Sequence, residues 1–129
     1  MKILIIEDEL RTVKQIIRLI KQYNNAYVVL DVIDSVEKGV NWFIENTETP
    51  DLLLANIQLV DETTFEIFNQ INVKIPIIFI TAYNEFALNA FKLNSVDYLL
   101  KPLNFEDLKK ALDKFIKTKE NYLKIGFKE

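Results

Sequence analysis

The stretch that decides the fold reads Pro50-Asp51-Leu52-Leu53-Leu54-Ala55-Asn56-Ile57-Gln58. Its run from Leu52 to Ala55 is short and wholly apolar, with no alternation between apolar and polar residues. This pattern is typical of a strand that is buried on both faces, as in the middle of a parallel sheet covered by helices. Open sheets of this kind bind ligands at the carboxyl ends of their strands, so Asn56 is predicted to lie at the floor of any site.

Four further apolar runs alternate with segments in which apolar residues recur at helical spacing. The runs are Lys2 to Ile6, Tyr27 to Ile33, Ile77 to Ile80 and Val96 to Leu100. The helical sets begin at Leu10, Val36, Phe65, Phe86 and Phe105. Because each crossover between parallel strands needs a helix, this alternation predicts an α/β fold with one doubly wound five-stranded parallel sheet. The expected strand order is 2-1-3-4-5, with helices on both faces, as in flavodoxin-like folds.

One domain is expected, since 129 residues suffice for a single core. This domain is predicted to cover residues 1–120, with a final helix from about Phe105 to about Lys119. Residues 121–129 are predicted to be a tail or the start of a linker to an effector domain.

The composition excludes several kinds of chemistry. The sequence has no cysteine and no histidine, which excludes disulfides, thiolate nucleophiles, the usual zinc sites and histidine acid or base catalysis. No apolar run approaches the roughly 20 residues that cross a bilayer, so no membrane association is expected and a cytoplasmic location is the default.

Positive charge is concentrated at the carboxyl end. The net charge is -3, yet residues 101–129 hold 8 lysines against 5 acidic residues. The segment contains no arginine, a residue that nucleic-acid surfaces commonly present. The pattern therefore favours a solvated last helix over a DNA-binding patch.

Polar side chains follow the predicted strands at one edge of the sheet. Glu7 and Asp8 follow the first strand, Asn56 ends the third, Thr81 ends the fourth and Lys101 follows the fifth. The first and third strands are neighbours where the winding reverses, so these groups are expected to converge in one crevice. Adjacent carboxylates favour a hard cation such as Mg²⁺, and a hydroxyl and an ammonium nearby would complete a cradle for a phosphoryl group.

Each of these residues has a simpler interpretation when it is taken alone. An acidic cluster at residues 7–9 is favourable at the start of a helix because of the helix dipole. Thr81 is more often a capping hydroxyl, and Lys101 is more often a solvated charge. The joint spacing is what indicates a site.

Five stretches carry a resemblance to a known family. They are Ile3-Leu4-Ile5-Ile6-Glu7-Asp8-Glu9, Pro50-Asp51-Leu52, Ile57-Gln58-Leu59, Ile80-Thr81-Ala82 and Asp97-Tyr98-Leu99-Leu100-Lys101-Pro102. Over nearly its whole length the chain thus resembles the receiver domain of two-component response regulators, which act in phosphorelay signal transduction. It looks most like the receivers of regulators that carry a LytTR-type DNA-binding domain. DNA binding is expected only through such an effector domain in a longer parent protein.

The resemblance implies a metal site. Glu7 and Asp8 would form an acidic Mg²⁺ pocket, the side chain at position 56 would complete it, and the backbone carbonyl of Gln58 would be a further ligand. The phosphoacceptor of the family is an aspartate, and its position falls on Asn56. An amide adds no charge to the pocket, so Mg²⁺ binding is expected to be weakened.

The resemblance also implies roles for residues on the other two strands. Thr81 and Lys101 would hold phosphoryl oxygens, and Tyr98 would be an aromatic rotamer switch coupled to Thr81. The Lys101–Pro102 peptide bond is predicted to be cis.

Asn56 decides the expected chemistry. An amide nitrogen shares its lone pair with the carbonyl and is a poor nucleophile, so this chain is not expected to accept a phosphoryl group. Either the protein is a pseudo-receiver that signals without phosphorylation, or aspartate has been replaced to trap the unphosphorylated state. The sequence does not separate these two explanations.

The implied partners are a sensor histidine kinase and a second copy of the chain. The homodimer would use the face formed by the helix around residues 84–94, the fifth strand and the last helix. No enzyme activity is expected, because a hydrolase with paired carboxylates would lack an evident base or nucleophile. The alternative is a flavodoxin-like domain that binds a small ligand, but neither Gly39 nor Gly126 follows the first strand, where a phosphate-cradling loop would lie.

Overall fold

The computed structural model describes residues 1–82 and 95–126, with side chains described at 1–82 and 97–120. The helix predicted around Phe86 and Phe91 lies outside the described residues. The described elements are β1 Lys2–Ile6, α1 Leu10–Tyr23, β2 Val28–Ile33, α2 Val36–Glu45, β3 Leu52–Asn56, α3 Phe65–Gln70, β4 Ile77–Thr81, β5 Ser95–Leu100 and α4 Phe105–Gly126.

The five strands form one parallel sheet in the order β2-β1-β3-β4-β5. This confirms the predicted fold class and strand order. Every residue of β3 is buried, because the strand lies at the centre of the sheet with a neighbour on each side. The apolar run from Leu52 to Ala55 is therefore explained by its position.

The sheet separates two hydrophobic cores. Alternate residues of β1 point to opposite faces, so that Ile3 and Ile5 belong to one core and Leu4 and Ile6 to the other. The first core is closed by α1 and α4, and the second by α2 and α3. Burial on both faces removes the polar alternation from the central strands.

Two helices differ in detail from the sequence prediction, and the edge strand β2 is partly exposed. The spacing of Phe65, Phe68 and Ile71 predicts that these residues of α3 face inward. Phe65 is buried and the other two are half-buried, whereas the fully buried residue is Ile67. In β2 the side chain of Val28 is 51% exposed, because this strand lies at the edge of the sheet. The last helix continues to Gly126, beyond the predicted end near Lys119.

The described part of α4 buries one stripe against the sheet. The helical spacing predicts a buried face made of Leu108, Leu112, Phe115 and Ile116; the first three are buried and Ile116 is half-buried. Ala111 is also fully buried and was not expected. The division of the chain at residue 120 stays a prediction.

Candidate functional site

Parallel pairing brings the strand ends together. Ile6 of β1 pairs with Ala55 of β3, so Glu7 and Asn56 follow side by side at the same edge of the sheet. On the other side of β3, Asn56 pairs with Ile80 of β4, one residue before Thr81. The backbone amide of Lys101 donates to the carbonyl of Thr81 at 2.8 Å, which fixes the start of the segment after β5.

Glu7 is the centre of the site. Its side chain is fully buried, and its Oε1 forms an ion pair with Lys101 Nζ at 3.0 Å. Its Oε2 accepts hydrogen bonds from Asn56 Nδ2 at 2.8 Å and from the backbone amide of Asp8 at 3.1 Å. The Glu7 backbone amide donates to the carbonyl of Ile33 at 2.8 Å, so the residue is also anchored to the end of β2.

Asn56 donates from one nitrogen to two acceptors. Besides Glu7 Oε2, its Nδ2 donates to the backbone carbonyl of Gln58 at 2.7 Å. Both neighbours are acceptors, so the amide must present its N–H groups and not its oxygen to them. The side chain thereby ties the loop after β3 to the end of β1.

Burial and charge act in opposite directions on Glu7. Burial raises the pKa of its carboxyl above the usual range, and the Lys101 ammonium offsets part of that rise. The Lys101 side chain keeps 24% of its surface exposed, so it contacts solvent as well as Glu7. The ion pair neutralises Glu7, and Asp8 is the other acidic residue of the site.

The other predicted residues lie around this centre. Asp8 is exposed, and the Gln58 side chain is exposed although its carbonyl faces Asn56. Thr81 is buried, and Tyr98 is half-buried against the second core. The predicted cis Lys101–Pro102 bond is confirmed.

Two further residues hold the loops of the site and were missed from the sequence. Asp61, in the loop after β3, accepts hydrogen bonds from the backbone amides of Val36 at 3.0 and 3.1 Å and of Glu37 at 3.3 Å. Gln15 Nε2 of α1 donates to the carbonyl of Leu103 at 2.9 Å. No local pattern marks either contact, since the partners are far apart in sequence.

Neither a cluster of metal-binding side chains nor a membrane-spanning helix is found among the described residues. Within residues 1–82 and 95–126, no three acidic, histidine or cysteine side chains converge in a way that would hold a metal ion. None of the helices in this part of the chain is both long and apolar enough to cross a membrane.

The sequence matches curated proteins of the LytT and LytR type. It is 31% identical over 128 residues to the sensory transduction protein LytT of Bacillus anthracis, covering 97% of this chain and 51% of the relative. It is 33% identical over 117 residues to the sensory transduction protein LytR of Staphylococcus haemolyticus, covering 88% and 44%. The chain therefore spans about half the length of the curated relatives it matches.

Solved structures share the fold. The response regulator PhyR from Brucella abortus matches with a TM-score of 0.79 and 25% identity, over 95% of this chain and 50% of that one. The response regulatory domain of protein mrkE from Klebsiella pneumoniae matches with a TM-score of 0.77 and 26% identity, over 94% and 99%. The family model of the response regulator receiver domain covers residues 3–113. The chain therefore belongs to the response regulator receiver family.

Proposed function

We propose that this receiver domain takes part in two-component signalling without being phosphorylated at Asn56. Receiver domains of response regulators are in general signalling domains and not enzymes. The observation that carries the proposal is the pair of hydrogen bonds from Asn56 Nδ2 to Glu7 at 2.8 Å and to the Gln58 carbonyl at 2.7 Å.

Phosphoryl transfer needs a nucleophilic atom that can attack in line. The Asn56 nitrogen is unsuitable for two reasons, since its lone pair is delocalised and its N–H groups point at two acceptors. The amide oxygen is neutral and lacks the charge of an aspartate. Both the electronic structure of the Asn56 amide and the direction of its hydrogen bonds therefore make it a poor nucleophile.

Thr81 and Lys101 are proposed to hold phosphoryl oxygens in a form of the protein with aspartate at position 56. Thr81 ends a buried strand, and Lys101 follows the neighbouring strand, so both lie at the same edge of the sheet as Asn56. With asparagine present, the Lys101 ammonium neutralises Glu7 instead. Tyr98 is proposed as the aromatic switch that responds to Thr81.

Receiver domains in general bind Mg²⁺ at the phosphorylation site. In this chain the proposed ligands are Glu7, Asp8 and the Gln58 carbonyl, and Asn56 replaces the carboxylate that would add a further negative charge. We therefore propose that affinity for Mg²⁺ is weakened.

The experiment that tests the missing nucleophile compares the unmodified chain with Asn56→Asp. Each is incubated with acetyl phosphate and Mg²⁺, and its intact mass is measured. We expect one phosphoryl adduct on Asn56→Asp and none on the unmodified chain, because the carboxylate restores the nucleophile. An adduct on the unmodified chain that maps to Asn56 would refute the proposal. The absence of an adduct on Asn56→Asp would favour a pseudo-receiver whose site has changed at further positions.

The origin of Asn56 calls for a separate observation. A natural pseudo-receiver and a deliberate replacement of aspartate give the same protein, so the codon for residue 56 in the parent gene distinguishes them. The sequence of the parent beyond residue 129 would also identify its effector domain, through which alone DNA binding is proposed.

Response regulator receivers typically interact with sensor histidine kinases, and a kinase partner in the cytoplasm is proposed here. A homodimer is proposed through the face formed by β5, α4 and the segment between β4 and β5. On the described part of this face, Leu100 is 40% exposed and is flanked by Asp107 and Lys110 around a depression of about 240 Å³. An apolar residue between opposite charges suits a symmetric contact.

Sedimentation velocity tests this surface. Lys110→Glu should weaken self-association, because it removes one sign of the charge pair on the face. Glu37→Lys, an equally large charge change on α2, is the matched control and should leave self-association unchanged. Equal effects of the two variants would count against the proposed face.

A further inference from the structure

We infer that the Asn56 amide, together with the Lys101 ammonium, takes the place of a divalent cation, so that this pocket is complete without metal. The inference rests on the proposed function, which assigns the metal pocket of the family to these residues. It goes further, because it makes the amide a substitute for the ion and not merely a weak ligand.

The Glu7 carboxylate and the Gln58 carbonyl, two of the groups expected to bind a metal, already have partners, whereas the Asp8 side chain is exposed. Glu7 Oε1 faces Lys101 Nζ at 3.0 Å, and Glu7 Oε2 accepts from Asn56 Nδ2 and from the Asp8 backbone amide. The Gln58 carbonyl accepts from the same Asn56 nitrogen at 2.7 Å. Each of these oxygens therefore faces a positively polarised group of the chain itself.

A Mg²⁺ ion does not fit beside these contacts. It requires oxygen ligands at about 2.0–2.1 Å in near-octahedral geometry. An ion bound by both Glu7 Oε2 and the Gln58 carbonyl would have to lie between two oxygens that one nitrogen now bridges. The amide would have to turn away and leave its buried N–H groups without acceptors, which is costly.

The charges of the pocket also disfavour a bound divalent cation. The ion pair of Glu7 with Lys101 is neutral and the Asn56 amide adds no charge, which leaves the exposed Asp8 as the other carboxylate of the pocket. An aspartate at position 56 would add a third carboxylate to Glu7 and Asp8, and the repulsion would favour a bound cation. The Asn56 amide removes this need for a cation, since it donates hydrogen bonds to the Glu7 carboxylate and to the Gln58 carbonyl.

The amide also holds the loop that begins at Ile57. Asn56 Nδ2 fixes the Gln58 carbonyl, and Gln58 forms an isolated antiparallel bridge with Thr63. The Thr64 amide then donates to the Ile57 carbonyl at 2.8 Å. The conformation of this loop is therefore set by the chain and is independent of metal.

Mn²⁺ serves as the probe, because it binds sites of the Mg²⁺ type and broadens the NMR signals of nearby nuclei. Three ¹⁵N-labelled chains are titrated: the unmodified chain, Asn56→Asp and Asn56→Ala. We expect no site-specific loss of amide signals at residues 7–9 and 57–59 in the unmodified chain. We expect strong loss in Asn56→Asp and a weaker loss in Asn56→Ala, where removal of the amide frees the oxygens without adding a carboxylate.

Asn56→Ala separates the two explanations for a weak metal site. Signal loss in this variant supports the amide as the group that excludes the ion. If Asn56→Ala stays silent while Asn56→Asp responds, the missing carboxylate explains the difference and the inference fails. Signal loss in the unmodified chain comparable to that of Asn56→Asp would also overturn it.

The unmodified chain supplies a second measurement that does not depend on how the variants fold. The side-chain N–H signals of Asn56 should keep their chemical shifts and slow exchange when excess Mg²⁺ is added. A shift of these signals would overturn the inference. A phosphoryl adduct on Asn56 in the mass experiment would instead refute the proposed function, so the two failures are distinguishable.

Discussion

Thr64 and Thr12 are two buried threonines whose hydroxyl groups differ in their contacts. Thr64 is 0% exposed, and among the described residues its Oγ1 has no hydrogen-bond partner. Thr12 is 5% exposed, and its Oγ1 donates to Glu9 Oε1 at 2.6 Å. A buried hydroxyl without a partner costs free energy, whereas one with a partner contributes to stability.

We expect Thr64→Val to raise the free energy of unfolding by about 1 kcal/mol, because it removes an unsatisfied polar group at nearly constant volume. Thr12→Val is the matched control and should lower it by about 1 kcal/mol, since it breaks a hydrogen bond. Urea denaturation of both variants measures the difference. Destabilisation by Thr64→Val would mean that its hydroxyl has a partner after all.

At the scale of single residues, the sequence predicted which side chains converge but not how they bind. A polar residue after an apolar run marks a strand end, and parallel topology brings strand ends together, which accounts for Glu7, Asn56 and Lys101. The direction of the Asn56 amide and the choice of Glu7 as the partner of Lys101 depend on atomic distances that no spacing encodes. The roles of these residues in signalling stay predictions.

The contact between α2 and α3 depends on a glycine. A Cβ atom at Gly39 would lie 2.5 Å from Ile67 Cδ1 and 3.1 Å from Ile67 Cγ1. Ile67 is fully buried and has little room to move. Gly39 therefore allows α2 and α3 to approach closely. This packing role accounts for the glycine without a phosphate-binding loop.

We expect Gly39→Ala to lower the free energy of unfolding by about 1–2 kcal/mol, because overpacking against Ile67 outweighs the gain in helix propensity. Ile67→Val removes Cδ1 and should relieve part of this cost. A double-mutant cycle therefore predicts that Gly39→Ala is better tolerated in the Ile67→Val background. Purely additive effects would show that the two residues do not clash.

Asp61 caps α2 from another part of the chain, and the effect depends on pH. Hydrogen bonds from the amides of Val36 and Glu37 hold the pKa of the Asp61 carboxyl below its usual range. A carboxyl with a lowered folded pKa stabilises the protein above the unfolded pKa of about 3.9. This contribution is lost as the pH falls through the lower folded pKa.

Asp61→Asn should therefore lower the free energy of unfolding by about 0.5 kcal/mol at neutral pH and low salt, and the difference should vanish in acid. Urea denaturation between neutral pH and the acid range measures this profile. Glu62→Gln removes the same charge from the next residue and controls for general electrostatic effects. A difference from Asp61→Asn that persists in strong acid would contradict the assigned cause.

At the scale of elements, the sequence predicted best the strands that are buried on both faces. Central strands are buried on both faces, so an unbroken apolar run marks them well, and β1, β3 and β4 were placed to within a residue of their bounds. The short helix α3 was harder, because its six residues show little helical periodicity. The end of α4 was missed because helical sequence continues past the core.

At the scale of the whole molecule, alternation of strands and helices predicted a parallel sheet, and the order 2-1-3-4-5 was taken from flavodoxin-like folds. Each parallel crossover returns the chain on one side of the sheet, which leaves few topologies for five strands. What the alternation could not predict are the links that join distant loops, such as Asp61 to Val36 and Gln15 to Leu103. Such links form only when the complete sheet brings the loops together.

The two caps of α2 differ in when they can form. Ser35 Oγ accepts from the Lys38 amide at 3.2 Å and needs only the helix itself. Asp61 reaches Val36 across 25 positions of sequence, so its contact requires that β3 has already docked on β1. Closing such a loop costs entropy that a local turn avoids.

This difference predicts a separation in folding kinetics. Ser35→Ala and Asp61→Ala should each cost about 1 kcal/mol at equilibrium. Ser35→Ala should act partly by slowing folding, whereas Asp61→Ala should act mainly by accelerating unfolding, because its contact is absent from the transition state. Stopped-flow measurements of both limbs of the chevron distinguish the two, and slower refolding of Asp61→Ala would contradict this order of events. If Asp61→Ala mainly accelerates unfolding, the loop after β3 forms its contact with α2 late in folding and loses it early in unfolding.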